Sequence, residues 1–409
     1  MRERIEENLE YLKGITATPG DGCTRLPFTR EAREAVEYLK KIMEEAGLEA
    51  REDAAGNVIG VWRGEDPALP CVMMGSHYDS VMQGGDYDGI AGVVCAVEVA
   101  RSLREKGIVP KRDLVVVGFC DEEGVRFGTG YFGSGAILGE RDPAYCQSYR
   151  DPKGISIYEA MKAYGFDPEK IREAAWPEGS IRAFLEIHIE QGPVLDAEGV
   201  ELGLVEGIVG IQRYVVSVLG RADHAGTTPM EMRHDAAEAA AKVIARIPDW
   251  AREEGEGTVA TVGYIHTVPG GMNIVAERVE FTVDIRSMDN GHICNIADNL
   301  REALERETKE MGGSYEIETK LVTDPTPMSR EMLGILEAGC RKRGYSYRYL
   351  PSGAGHDAQE MAKAAPAAML FAPSRAGRSH CPEEYTEYED LARAAEVMGD
   401  LAERLLVTR

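Results

Sequence analysis

The run Cys71-Val72-Met73-Met74-Gly75-Ser76-His77 decides the fold class. Its first six residues carry no charge and show no polar alternation, the pattern of a strand covered on both faces, and it stops abruptly at a histidine. A second run, Leu114-Val115-Val116-Val117-Gly118-Phe119-Cys120, behaves in the same way and stops at Asp121-Glu122-Glu123. Between them, 90–106 reads as a long helix. Strand, helix and strand in that order form the crossover unit of an α/β sheet. Polar clusters just past the carboxyl ends of such strands lie where open α/β sheets build their active sites.

Outward from this unit, 30–47 reads as an amphipathic helix and 56–63 as a strand. From about residue 207 the texture changes. Tyr214 to Gly220 alternates like a half-exposed strand, 235–247 is an alanine-rich helix, Glu277 to Arg286 alternates again, and a helix (295–311) and a strand (314–321) follow. This grouping predicts an inserted α+β domain over 207–324 with one open sheet face. Asp324-Pro325-Thr326-Pro327 reads as a linker, and 325–409 returns through helix, strand and helix to the sheet begun by 1–206. The expectation is therefore an α/β, mixed-sheet domain in two pieces, 1–206 and 325–409, interrupted by 207–324.

A chain of 409 residues with 44% hydrophobic and 28% charged residues can bury a large interior. Its formal net charge of −24 repels phosphate-rich partners, so neither nucleic acid nor an anionic membrane is expected. The charged N-terminal stretch Met1 to Glu7 carries no secretory signal pattern, which predicts a cytoplasmic protein. Eight cysteines lie scattered without a C-x-x-C pair, as free thiols in a reducing compartment do. Cys381 alone adjoins a candidate ligand, His380.

The chemistry rests on a set of residues. In Gly75-Ser76-His77-Tyr78-Asp79, a ligating His77 needs an acceptor for its second nitrogen, and Asp79 can supply it. Asp88, in Gly84-Gly85-Asp86-Tyr87-Asp88-Gly89, lies in a glycine-rich loop before a helix, where one carboxylate can face two cations. The acidic triplet at 121–123 is costly at a buried strand end unless cations neutralise it. Adjacent side chains there diverge, so one glutamate can ligate while its neighbour serves as base. His188, in Glu186-Ile187-His188-Ile189-Glu190, and His380, in a loop after the apolar run from Ala367, complete a nitrogen and oxygen donor set suited to zinc, manganese, cobalt or nickel. Any of these histidines taken alone is more simply a structural one.

These motifs resemble the di-metal peptidase and amidohydrolase family that includes aminoacylases, and within it the branch of N-carbamoyl-L-amino-acid hydrolases and allantoate amidohydrolases. The resemblance is carried by G-S-H-Y-D-S (75–80), G-G-D-Y-D-G (84–89), D-E-E-G-V-R-F-G (121–128), E-I-H-I-E-Q-G-P-V-L (186–195), H-A-G-T-T-P-M (224–230), N-I-V (273–275), D-I-R-S (284–287), S-G-A-G-H-D-A (352–358) and S-H-C-P-E-E-Y-T (379–386), spread over nearly the whole chain. It implies one metal ion held by His77, His188 and Asp88, and a second by Glu123, His380 and the shared Asp88. Asp79 then supports His77. Glu122 takes the proton of the attacking water and passes it to the leaving nitrogen. Substrate recognition maps onto Gln191, His224, Asn273, Arg286, Gly355 and His356, with Arg286 matched to a carboxylate. The inserted domain is implied to act as a lid and to join two chains in a homodimer. His234, His266 and His292 match no ligand motif and read as structural.

The substrate implied is a small carbamoyl or ureido acid. Allantoate-type enzymes resemble I-V-G-Q-R where this chain has Ile208-Val209-Gly210-Ile211-Gln212-Arg213, so apolar Ile211 stands in the glutamine position, as in carbamoylases. Arg213-Tyr214 and Gly355-His356-Asp357-Ala358-Gln359 instead resemble the allantoate type. The balance favours an N-carbamoyl-L-amino acid over allantoate, and both over an acyl-amino acid or dipeptide. A binding module that had lost catalysis would lack the base or a ligand, and none is missing here.

Overall fold

The computed structural model describes residues 1–255 and 257–408. Its strands are β1 (Glu49–Glu52), β2 (Val58–Trp62), β3 (Cys71–His77), β4 (Leu114–Phe119), β5 (Ile181–Ile189), β6 (Leu202–Ile208), β7 (Gly210–Leu219), β8 (Val259–Thr261), β9 (Ile265–Val268), β10 (Arg278–Ser287), β11 (Ser314–Thr323), β12 (Thr326–Pro327), β13 (Tyr347–Ser352) and β14 (Ala367–Ala372). They serve two compact units, one of residues 1–206, 328–350 and 354–409, the other of 207–327 and 351–353.

The first unit is built on a mixed sheet of order β1-β2-β4-β3-β5-β14-β6, with β13 beside β6. The pairs β3–β4, β3–β5 and β5–β14 are parallel, and β1–β2, β2–β4 and β6–β14 antiparallel. Every residue of β3, β4 and β14 is buried, which is why these runs show no alternation. The helix Ile90–Glu105 packs on β3 and β5 and is buried nearly all round, while Tyr388–Val407 covers it and β14. The parallel alignment of β3, β4, β5 and β14 brings their four carboxyl ends to one edge. His77 ends β3 and pairs with Phe119 at the end of β4, and His188 on β5 pairs with Phe371 on β14.

In the second unit an antiparallel sheet, β11-β7-β10-β8 with β9 also on β10, carries two helices, Ala236–Glu254 and Asn290–Met311. Val216, Val218, Val279, Phe281, Val283 and Ile285 meet Val243, Ile247, Ile296, Leu300 and Leu304 in one core. The alternate residues of β10, among them Thr282, Asp284 and Arg286, lie on the face away from the helices.

Two local readings differ. The helix expected to stop at 247, before Pro248, runs on to Glu254, because Trp250 and Ala251 are buried in the core and hold the next turn in place. Thr326-Pro327, read within a linker, pairs antiparallel with Ile208 and Gly207.

Candidate active site

Four strand ends supply the site. Asp88 lies at its centre, buried, with Oδ1 3.3 Å from His77 Nε2 and 3.2 Å from His188 Nε2. Its Oδ2 is 3.3 Å from His380 Nε2, and that same nitrogen is 3.3 Å from Glu123 Oε1. Four donor triads result among the described residues, and two of them, His77–Asp88–His188 and Asp88–Glu123–His380, share one carboxylate; the others are His77–Glu122–Glu123 and Glu186–His188–His356. The loop reaches this position only because residue 89 is glycine: its φ is +65°, and a Cβ there would lie 2.3 Å from the His77 ring.

The imidazoles are set by their outer nitrogens. His188 Nδ1 lies 2.9 Å from the Ile189 carbonyl, and His188 Nε2 accepts the Gly89 N–H at 3.3 Å, which fixes a lone pair on the inward nitrogen. His77 differs from expectation. The acceptor beside its Nδ1 is the backbone carbonyl of Asp79, at 3.1 Å, whereas the Asp79 carboxylate stands 3.6 Å away. That carboxylate instead accepts the N–H groups of Glu122 (3.0 Å) and Glu123 (3.3 Å). The reason is the turn after β4: Asp121 has φ +60° and Gly124 +64°, so successive N–H groups converge on one acceptor. Asp79 therefore supports His77 through its main chain and the two glutamates through its side chain.

Charge in this cluster is unbalanced. Burial raises the Asp88 carboxyl, yet the facing imidazoles, His188 foremost, pull it well below the ordinary carboxylate range. The His380 imidazole is pushed up to about 10 by Asp88 and Glu123. Burial lowers His77, but Asp79 and Asp88 outweigh it and hold its pKa well above normal. Burial drives Glu122 far above the ordinary carboxyl range; His77 opposes this, while Glu123 and Asp357 add to it. Each shift expresses a demand for positive charge among buried carboxylates.

The donor set fits divalent cations. Asp88 Oδ1 and Glu123 Oε1 are buried without a hydrogen-bond donor. The ligand-atom separations of 3.2 to 3.3 Å match the edge of a tetrahedron whose corners lie about 2.0–2.1 Å from a central ion. Nitrogen and oxygen donors without thiolate suit zinc, manganese, cobalt or nickel alike. Glu122, with Oε2 4.0 Å from His77 Nε2, stands beside this cage; it groups with His77 and Glu123 and belongs to neither triad that shares Asp88.

Gln191 adjoins the cage directly: its Nε2 donates to Asp88 Oδ2 at 2.7 Å and lies 3.4 Å from His380 Nε2. The His356 ring is buried against His188 at 4.4 Å and Phe371 at 5.7 Å, and its pKa is well below normal because of burial and the neighbouring imidazoles. Gly355 packs on the Tyr131 hydroxyl. In the second unit, His224 and Asn273 sit on adjoining exposed loops, joined by the Ala225 N–H to the Asn273 carbonyl at 3.0 Å. Arg286 lies on the open sheet face with Asp284 and Arg213. His234, His266 and His292 take no part in these triads: His234 Nδ1 lies 3.1 Å from the Gly312 carbonyl, and His292 Nδ1 is 3.1 Å from Thr258 Oγ1. All eight cysteines are free.

Sequence reasoning passed over Tyr131, which combines φ +56° with a place beside Gly355, and Glu384, whose motif was noticed but whose partners were not. Asp121, Tyr131, Gln191 and His380, all at or beside the site, adopt left-handed backbone conformations that side chains seldom take.

Peptidase family M20/M25/M40 matches residues 73–404, and the chain belongs to this family. An N-carbamoyl-L-amino-acid amidohydrolase of Paenarthrobacter aurescens is 40% identical over 97% of this chain and 96% of its own. The allantoate amidohydrolase of Escherichia coli K12 is 36% identical over the same shares. A solved amidase of the hydantoinase/carbamoylase family from Burkholderia multivorans superposes with a TM-score of 0.93 at 31% identity, covering 100% of this chain and 98% of that one. The family and branch read from the motifs, the mixed α/β class and the assignment as an amide-hydrolysing enzyme are borne out.

Proposed function

We propose that the protein hydrolyses the ureido amide of an N-carbamoyl-L-amino acid, releasing the amino acid, carbon dioxide and ammonia. The observation that carries this choice of substrate is the register of β7 on β10, which sets Ile211 directly opposite Arg286 and Arg213 opposite Asp284. Directly paired residues share a face. An isoleucine flanking the guanidinium, with Val259 on its other side, gives a carboxylate clamp an apolar border suited to an amino-acid side chain. A glutamine at 211 would offer an amide to a second ureido group.

In this reading His77, Asp88 and His188 hold one divalent cation and Asp88, Glu123 and His380 a second. Such cations polarise the scissile carbonyl and acidify water. Glu122, buried beside both triads, accepts the proton of the attacking water and returns it to the departing nitrogen. Asp79 fixes the Glu122 and Glu123 main chain. Gln191 steadies Asp88 and faces the substrate with the Gly355-His356 turn. Arg286 binds the substrate carboxylate, and His224 and Asn273 stabilise the oxyanion. The 207–327 unit is a lid and a homodimer contact. Its ten-residue edge strand β11 pairs on one side only among the described residues, and Ile265, Tyr264 and Val322 are exposed apolar side chains. The reading places the protein in the cytoplasm, in keeping with its free thiols.

The test is turnover by the manganese-loaded protein on a panel of substrates, read as ammonia from N-carbamoyl-L-amino acids and allantoate and as acetate from N-acetyl-L-amino acids. Carbamoyl substrates should give the highest kcat/KM. A second reading, allantoate hydrolysis, is favoured by Arg213-Tyr214 and the Gly355–Gln359 segment, and superior turnover of allantoate would establish it instead.

A further inference from the structure

Glu384 is nine-tenths or more buried and lies outside the donor triads, yet its carboxylate reaches the two loops that carry Asp88 and His380. Oε1 accepts the N–H groups of Tyr87 and Asp88, each at 3.0 Å. Oε2 accepts the Ser379 hydroxyl at 2.7 Å, one residue before His380. The 84–89 loop is drawn tightly onto it: a Cβ at Gly85 would lie 1.9 Å from Oε1. One carboxylate thus fixes the main chain beneath Asp88 and the approach of His380.

Ser379 Oγ also lies 3.0 Å from Asp88 Oδ2. A hydroxyl carries one proton and serves one carboxylate at a time. The shorter contact is to Glu384, and Asp88 Oδ2 already receives Gln191 Nε2. We infer that Glu384 is a positioning residue for the bridging carboxylate: it anchors the Asp88 backbone and draws the Ser379 proton away from Asp88, leaving to cations the lone pairs that Gln191 does not engage. This rests on the reading of Asp88 as the ligand shared by two cations.

Glu384→Gln reverses the polarity of the contact with Ser379. The two N–H groups require the amide oxygen on their side, so the NH2 group faces Ser379. Ser379 must then accept from Gln and donate to Asp88, placing a proton on a cation-binding oxygen.

The experiment titrates the chelator-stripped full chain with Mn2+ and reads affinity by calorimetry, with thermal unfolding in chelator as a check on folding. E384Q should weaken binding by about 10–100-fold, the range for a group that orients a ligand, and Ser379→Ala in the E384Q background should restore most of it. Wild-type affinity in E384Q overturns the proposal, and failure of the second substitution to restore binding overturns the role of the hydroxyl proton. Asp88→Asn separates this from the cage itself: if D88N binds Mn2+ like wild type, the cage reading fails, whereas lost binding in D88N with unchanged binding in E384Q rejects Glu384 alone. Should E384Q not fold, Glu384→Asp, which keeps the charge but withdraws it from Ser379, should show the same loss, and wild-type affinity there is equally decisive against the proposal.

Discussion

Arg286 and Asp284, two residues apart on one strand face, are joined by two hydrogen bonds, Nε to Oδ1 at 2.7 Å and Nη2 to Oδ2 at 3.1 Å. Asp284 Oδ2 also accepts from Arg213 Nε at 2.7 Å, and Arg286 Nη1 donates to the Gly353 carbonyl at 2.6 Å. The guanidinium is held in plane from two sides, with its remaining N–H groups left for a carboxylate. Arg286→Lys removes the fork. It should raise KM for a carbamoyl substrate by roughly 10–100-fold, in line with a lost charge-assisted pair of about 1.5–3 kcal/mol, with a smaller effect on kcat. Steady-state kinetics decide: an unchanged KM removes Arg286 from substrate binding.

Glu122→Gln keeps the shape of the side chain and removes its basicity. The expected loss in kcat is about 10²–10⁴-fold, with Mn2+ content unchanged because Glu122 belongs to neither triad that shares Asp88 and Gln keeps a carbonyl oxygen at that position. Ammonia release and metal analysis of the same sample test this. Turnover within a few-fold of wild type would assign the base elsewhere.

Ile211→Gln places an amide opposite Arg286. The ratio of kcat/KM for allantoate to that for a carbamoyl-amino acid should rise, by up to about 10²-fold if the amide pairs with the second ureido group. An unchanged ratio would mean that position 211 does not read the substrate.

Asp53 supports the site from beneath. Its carboxylate binds Asn57 Nδ2 at 2.8 Å, and Asn57 Oδ1 accepts the Cys120 N–H at 3.0 Å just before the acidic turn. Burial pushes the Asp53 carboxyl up to about 6, against bonds from Asn57 and Ala55 that pull it down. The folded state therefore holds this proton more tightly than the unfolded state. Its stability relative to Asp53→Asn should fall as pH rises from about 4 to 6 and stay level above that. Urea unfolding of the two proteins across this range tests the sign; a difference that grows with pH would contradict it.

Much of this was readable in the chain, for identifiable reasons. The runs ending at His77 and at Asp121 lie in strands covered on both faces, so burial erased all alternation and left the polar switch conspicuous. Cage residues follow those switches. Strands β8 and β9, of three and four residues, are mostly exposed and left no periodic signal. The partner of His77 Nδ1 could not be read because a main-chain carbonyl supplies it. The partners of Glu384 are not legible in its motif because its bonds reach back nearly 300 residues to Tyr87 and Asp88, a relation that only the alignment of β3 and β14 on either side of β5 creates.

On the proposed reading one carboxylate, Asp88, serves two cations, and hydrolysis requires both. Titrating the chelator-stripped protein with Mn2+ while following ammonia release from an N-carbamoyl-L-amino acid tests it most directly. The rate should climb to a plateau at two ions per chain in wild type and stay at baseline in Asp88→Asn. Full activity in the stripped protein, or in D88N, would contradict it.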